Sequence, residues 1–212
     1  MSDTVSVKDS IYILGRRGTE VVSETLRGID GRNLRDAFDN EEVLVTSEGR
    51  PRKGDAGAKE AVQRVVAHLR KAGRLPKEVA EVRDEHDKVK PQEPADCEVV
   101  AGDGEVLLRA QVVNAALDWG KRKLATEGAF RTAMSVDALA DLLAKAIQHK
   151  AARYAASDKA KLALVLDAMD QQGTVAAEPV VRSFLLRHKA VVQQAGFRSV
   201  WVVGPARVHE LG

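Results

Sequence analysis

A chain of 212 residues with 33 Lys and Arg against 31 Asp and Glu carries almost no net charge, so bulk charge gives no mandate for a nucleic-acid partner. A local basic groove would still suffice to hold phosphate. That length can hold one full domain with an extension or two small ones, 44% hydrophobic residues are enough for a core, and 4% aromatics argue against stacking platforms for single strands.

The single cysteine, Cys97, excludes an internal disulfide and fits a reducing cytosol. No signal peptide, spanning segment or lipidation motif is read, and the expectation is a cytoplasmic protein without a membrane partner.

Residues 1–55 read as an arm or small subdomain, and residues 56–212 as the core domain. In the arm, Ile11-Tyr12-Ile13-Leu14 and Val43-Leu44-Val45-Thr46 predict short strands, with helical turns over 19–27 and 33–38. The basic, Gly-rich stretch 49–57 fails as a phosphate-binding loop, because Asp55 follows the second glycine where lysine is required. It reads as a connector. A helix is expected from Ala58 to Ala72, with Val62, Val65, Val66 and Leu69 as its buried stripe and Gly73 ending it. Residues 83–94, rich in charge and Pro, read as an exposed loop.

Next comes the most informative stretch. Asp103-Gly104 lies between two runs of β-formers and predicts a hairpin closed by a two-residue type I′ turn. Opposed residues then have numbers summing to 207, which sets Glu98 against Arg109 and Asp96 against Gln111. Because side chains alternate along a strand, Asp96, Glu98, Arg109, Gln111 and Val113 share one face. The other face carries Cys97, Val99, Ala101, Val106, Leu108, Ala110 and Val112, and is almost wholly apolar. One face belongs to a core. The other gathers a carboxylate, an ion pair and an amide.

After an ambiguous stretch over 115–134, Ser135 is placed to cap a helix reaching Tyr154. Residues 161–167 predict a buried strand, Glu178 and Pro179 open a helix that stops at Gly196, and 199–203 predict a last strand. Helices alternating with the last two strands imply right-handed crossovers onto a sheet begun by the hairpin.

This order of elements, with an acid opening one hairpin strand behind Pro94 and a polar residue late on the next, resembles the PD-(D/E)xK nuclease superfamily over residues 56–205. The resemblance implies an α/β fold, a restriction-endonuclease-like mixed β-sheet flanked by helices (an αβα sandwich). It also implies a Mg²⁺ (or Mn²⁺) ion held by the acids and a lysine that orients or activates the attacking water.

Asp96 matches the first acid, and Gln111 takes the (D/E) position. The protein ligands would be Asp96, Gln111 and the carbonyl of Val112. The lysine position holds Val113, which can neither polarise water nor neutralise a phosphorane. Gln binds a metal through a neutral oxygen and adds no charge to hold it.

In some members of that superfamily a catalytic side chain has migrated to the following helix, and the resemblance makes a lysine there the natural replacement if that helix packs near the hairpin's polar face. Leu139, Leu143 and Ile147 form one stripe, and Lys150 falls about 20° from Leu143 inside it. Lys150 followed four residues later by Tyr154 resembles a pattern of related nuclease-like families. The catalytic set that the resemblance implies is then Asp96, Gln111 and Lys150. The competing view of Lys150 is a snorkelling side chain making a structural ion pair.

Other signals weigh less. Glu60 sits on the solvent side of its helix. Glu98 either joins a metal site or pairs with Arg109, and pairing is preferred. Lys121, Arg122 and Lys123 could touch phosphates or form a solvated turn. His188 lies in an apolar stripe as a satisfied core histidine, and Cys97 is expected to be a buried thiol. The five histidines show no zinc spacing. Asp167 resembles a receiver's phosphoacceptor, but an acidic pair after a first strand is missing.

Two functions remain. One is a Mg²⁺-dependent DNA nuclease in bacterial defence or DNA processing. The other is a catalytically inactive nuclease-fold module that binds nucleic acid or assembles with a protein partner or as a homodimer.

Overall fold

The computed structural model describes residues 11–17, 20–26, 42–48, 54–76, 78–84, 95–115, 129–169, 176–204 and 206–212. In chain order these form β1 (Ile11–Arg17), β2 (Glu20–Leu26), β3 (Glu42–Glu48), α1 (Gly54–Lys71), β4 (Val79–Arg83), β5 (Cys97–Ala101) and β6 (Val106–Asn114). Then follow β7 (Ala129–Ser135), α2 (Val136–Ala151), α3 (Ala156–Lys159), β8 (Leu162–Asp167), α4 (Glu178–Ala195), β9 (Ser199–Val203) and β10 (Val208–Glu210).

The fold is α/β. Its centre is a mixed, open six-stranded sheet in the order β10-β9-β8-β6-β5-β4. β6, β8 and β9 run parallel, while β4, β5 and β6 form an antiparallel meander and β10 lies antiparallel on β9. Parallel neighbours need long crossovers, which α2 and α4 provide.

Alternation along the strands divides the core into two layers. Ala163, Val165, Trp201 and Val203 meet Val62, Val65, Val66 and Leu69 of α1 on one face. Leu164, Leu166, Val200 and Val202 meet α2 and α4 on the other. β8 is covered on both faces and buried at every residue, the reason its sequence Leu-Ala-Leu-Val-Leu-Asp is a continuous apolar run. α2 and α4 are also clasped by polar contacts. Ser183 donates to Asp137 at 2.5 Å, while Arg187 reaches both Asp137 and Asp141.

Helix ends follow local chemistry. Ser135 Oγ accepts the Ala138 N–H at 3.1 Å and caps α2, Pro occupies the first turn of α4, and Gly196 closes α4 at φ 74°. α2 stops at Ala151 rather than Tyr154, and α1 begins at Gly54 rather than Ala58, so the tail of the Gly-rich stretch is helical.

Three strands escaped the sequence. β4 pairs with β5, so Arg83 ends a strand instead of opening a loop. β7 lies in the ambiguous stretch and pairs with β3, residues 42–48 with 129–135, across the 55/56 boundary. β10 is three residues long. A fourth stretch was assigned the wrong type: residues 19–27, expected as a helical turn, contain strand β2, paired with β1. Val21-Val22 favour an extended chain, and a partner strand supplies the hydrogen bonds. The turn expected over 33–38 lies outside the described residues.

The hairpin also corrects its turn. The loop is three residues, Gly102-Asp103-Gly104, with Gly104 N–H donating to Ala101 O at 3.0 Å and Ala101 N–H to Glu105 O at 2.8 Å. Gly104 takes φ 90°, and Asp103 Oδ1 accepts the Glu105 N–H at 3.0 Å. Near the tip the register is Val100↔Val106, and an irregularity beyond it restores Val99↔Leu108, Glu98↔Arg109 and Cys97↔Ala110. The numbers again sum to 207. A wrong turn and a bulge cancel.

Candidate functional site

Residues 109, 111 and 113 of β6 alternate onto the face that meets α2 and α4. Val113 packs into that core, and Gln111 is 3% exposed. Asp96 precedes β5 by one residue, and its N–H donates to Ala110 O at 2.9 Å. That bond prolongs the ladder and brings Asp96 beside Gln111. The Asp96 carboxylate is held by Oδ2, which accepts the Val112 N–H at 2.7 Å and the Gln111 Nε2 donor.

Gln111 in turn accepts the Tyr154 hydroxyl on Oε1 at 2.6 Å. Its Nε2 also lies 3.5 Å from the Val112 carbonyl. The orientation of the amide follows from its neighbours. Turned over, Oε1 would face Asp96 Oδ2, two acceptors with no proton between them.

The stripe on α2 is as the phase requires, with Leu139, Leu143 and Ile147 all 0% exposed. Lys150 continues it at the helix end and is half-buried. Its Nζ stands 5.8 Å from the centroid of the Tyr154 ring, a cation–π distance. Burial pushes the Lys150 ammonium below the usual lysine range, the Asp96 carboxylate pulls it back up, and Arg153 lowers it further. Asp96, Gln111, Lys150 and Tyr154 thus come together from the hairpin, the end of α2 and the turn after it.

Tyr154 is itself set by Phe197, edge-on at 6.5 Å between centroids. Phe197 is the member that sequence reasoning missed. It stands 43 residues from Tyr154, and no local periodicity links the two.

These residues do not make a divalent-cation site in this arrangement. Mg²⁺ wants several oxygens at short range and more than one negative charge. Here one carboxylate and the Val112 carbonyl converge on the amide nitrogen of Gln111, and the amide oxygen is taken by Tyr154. Lys150 offsets the charge of Asp96. Among the described residues no three His, Cys, Asp or Glu side chains are grouped to hold a metal ion.

The remaining sequence candidates fall as follows. Glu98 pairs with Arg109, Oε1 to Nε at 3.2 Å, which settles its role as the cross-strand partner. Glu60 lies 3.9 Å from Arg64 one helical turn on. Cys97 is a buried thiol outside any disulfide, 0% exposed. His188 meets Asp141 Oδ1 at 2.7 Å beside Phe184. Asp167 accepts the Met169 N–H at 3.0 Å and so organises the chain leaving β8. Lys121, Arg122 and Lys123 lie outside the described residues.

No helix among the described residues is long and apolar enough to cross a membrane. Compared with protein-family models, curated proteins and solved structures, the chain matches none.

Proposed function

We propose that this chain is a nucleic-acid-binding module on a restriction-endonuclease-like αβα scaffold whose former catalytic position has become a structural polar cluster. The observation that carries this reading is the Gln111 amide, whose nitrogen occupies the point on which Asp96 and the Val112 carbonyl converge. An amide there satisfies the carboxylate without a metal, and Tyr154 completes the amide. Valine at 113 packs into the core and offers no cation to the cluster.

A second reading, a Mg²⁺-dependent DNA nuclease, is favoured by Lys150. It is half-buried, coupled to the Asp96 charge, and arrives from the helix on which a migrated lysine would stand.

One set of measurements separates the two. Labelled DNA and RNA are titrated with the protein, and plasmid and single-stranded DNA are incubated with Mg²⁺ or Mn²⁺ beside Asp96→Ala and Lys150→Ala. The binding module retains oligonucleotide without cutting it, and its melting temperature does not respond to either metal. Cleavage by the wild type that both variants lose would replace this proposal with the nuclease.

A further inference from the structure

The parallel strands β6, β8 and β9 bring three cations to one end of the sheet's central strands. Lys161 immediately precedes β8, Arg198 immediately precedes β9, and Arg109 lies opposite Leu162 on β6. Together with Ala160, they line an open trough of about 440 Å³ whose other wall is the hairpin segment Val106, Leu107 and Leu108.

We infer that this trough seats the phosphodiester backbone of a nucleic acid, with Lys161 and Arg198 as the phosphate-binding side chains and Arg109 beside them. The inference rests on the nucleic-acid reading above and says where that partner lies.

Charge is the first argument. Arg109 is paired with Glu98, but neither Lys161 nor Arg198 meets a carboxylate among the described residues, and both are exposed. Two uncompensated cations on one concave surface repel each other and attract an anion.

Anchoring is the second. The Arg198 backbone N–H is shared between Lys159 O at 3.2 Å and Leu162 O at 2.9 Å, so the guanidinium grows from a held backbone next to Lys161. A planar guanidinium beside an ammonium suits phosphate oxygens in two geometries.

Shape is the third. The trough is open on its solvent side and carries an apolar wall including Val106, 38% exposed, which suits a chain passing through with its sugars against that wall. The trough adjoins the polar cluster, because Phe197 touches Tyr154 and is followed directly by Arg198.

The test uses the full chain. Fluorescence anisotropy is read with a labelled single strand and a duplex of about 20 residues across a salt series. The variant is Lys161→Glu with Arg198→Glu, and the control is Arg182→Glu with Lys189→Glu, which changes net charge equally on exposed positions of α4. Circular dichroism and melting confirm that both variants fold.

The groove variant is expected to bind at least about tenfold more weakly, with a salt slope reduced by about 1.4 for a single strand or 1.8 for a duplex. The control is expected to stay within about threefold of wild type. Equal affinity of groove variant and wild type would overturn the placement while leaving the nucleic-acid reading intact. No binding by the wild type to either nucleic acid would overturn both. An oligo-glutamate peptide that binds as tightly as the oligonucleotide, and loses as much in the groove variant, would overturn the phosphodiester assignment.

Discussion

Replacing Gln111 by Glu tests the polar cluster most sharply, because it exchanges a donor for a negative charge at nearly constant volume. Gln111 is 3% exposed, and its Nε2 donates to Asp96 Oδ2. A glutamate there would set two carboxylates in contact. At about 4 Å and an effective dielectric of about 20, that repulsion is about 4 kcal/mol. The lost hydrogen bond to a charged acceptor adds about 1.5–3 kcal/mol.

Protonation limits the total. Keeping a glutamic acid of ordinary pKa about 4.3 neutral at pH 7 costs about 3.7 kcal/mol, and the protonated acid can again donate to Asp96. Lys150 relieves part of the repulsion. The expected destabilisation at pH 7 is therefore about 2–4 kcal/mol, or about 5–15 °C in melting temperature for a chain of this size.

The sign follows from proton linkage. The folded variant binds a proton that the unfolded chain releases near pH 4.3, so its stability relative to wild type falls as pH rises from about 4 and levels off above the raised folded value. Urea unfolding between about pH 4 and 8, without divalent ions, reads this directly. Because the substitution also supplies a second carboxylate, Mg²⁺ at millimolar concentration is expected to restore stability to the variant and leave wild type unchanged. A variant as stable as wild type at pH 7, with no added pH dependence, would refute the contact between residues 96 and 111.

Two further outcomes follow from neighbouring contacts. Tyr154→Phe keeps the ring contact with Phe197 but removes the donor to Gln111 Oε1, and should cost about 1–2 kcal/mol in chemical denaturation. Burial holds the His209 imidazole below its usual range, against the raising effect of Glu178, with Arg207 and His68 lowering it further and a backbone bond at Ala176 raising it. The unfolded chain therefore takes up that proton first. Stability should drop as pH falls through about 6.5 towards the depressed folded value, and His209→Gln should flatten that part of a melting-temperature profile.

Much of this architecture is written in local sequence. Ser135 accepting from Ala138, Glu178-Pro179 opening α4 and Gly196 ending it are choices made within one helical turn, so short-range chemistry suffices to predict them. The apolar run of β8 and the phase of Leu139, Leu143 and Ile147 told which surfaces are buried. Cross-strand register told that Glu98 faces Arg109, and phase told that Lys150 joins the stripe.

Sequence by itself also set Asp96 beside Gln111, and Lys150 in the apolar stripe of its helix, because alternation and helical period carry a residue's direction over short distances. The meeting of Lys150 with Asp96 was an expectation of the resemblance that only the packing of α2 could supply. What those residues do to one another was decided by the tertiary structure. The Tyr154 hydroxyl reaches Gln111 across 43 residues, turns the amide, and leaves its nitrogen to Asp96. The basic trough is likewise invisible in the chain, since Arg109, Lys161 and Arg198 are remote in sequence and meet only where the starts of β8 and β9 come beside the fourth residue of β6. β2, β4 and β10 belong to the same class: a strand is stabilised by its partner's hydrogen bonds, and the partner is named by the fold, not by the segment.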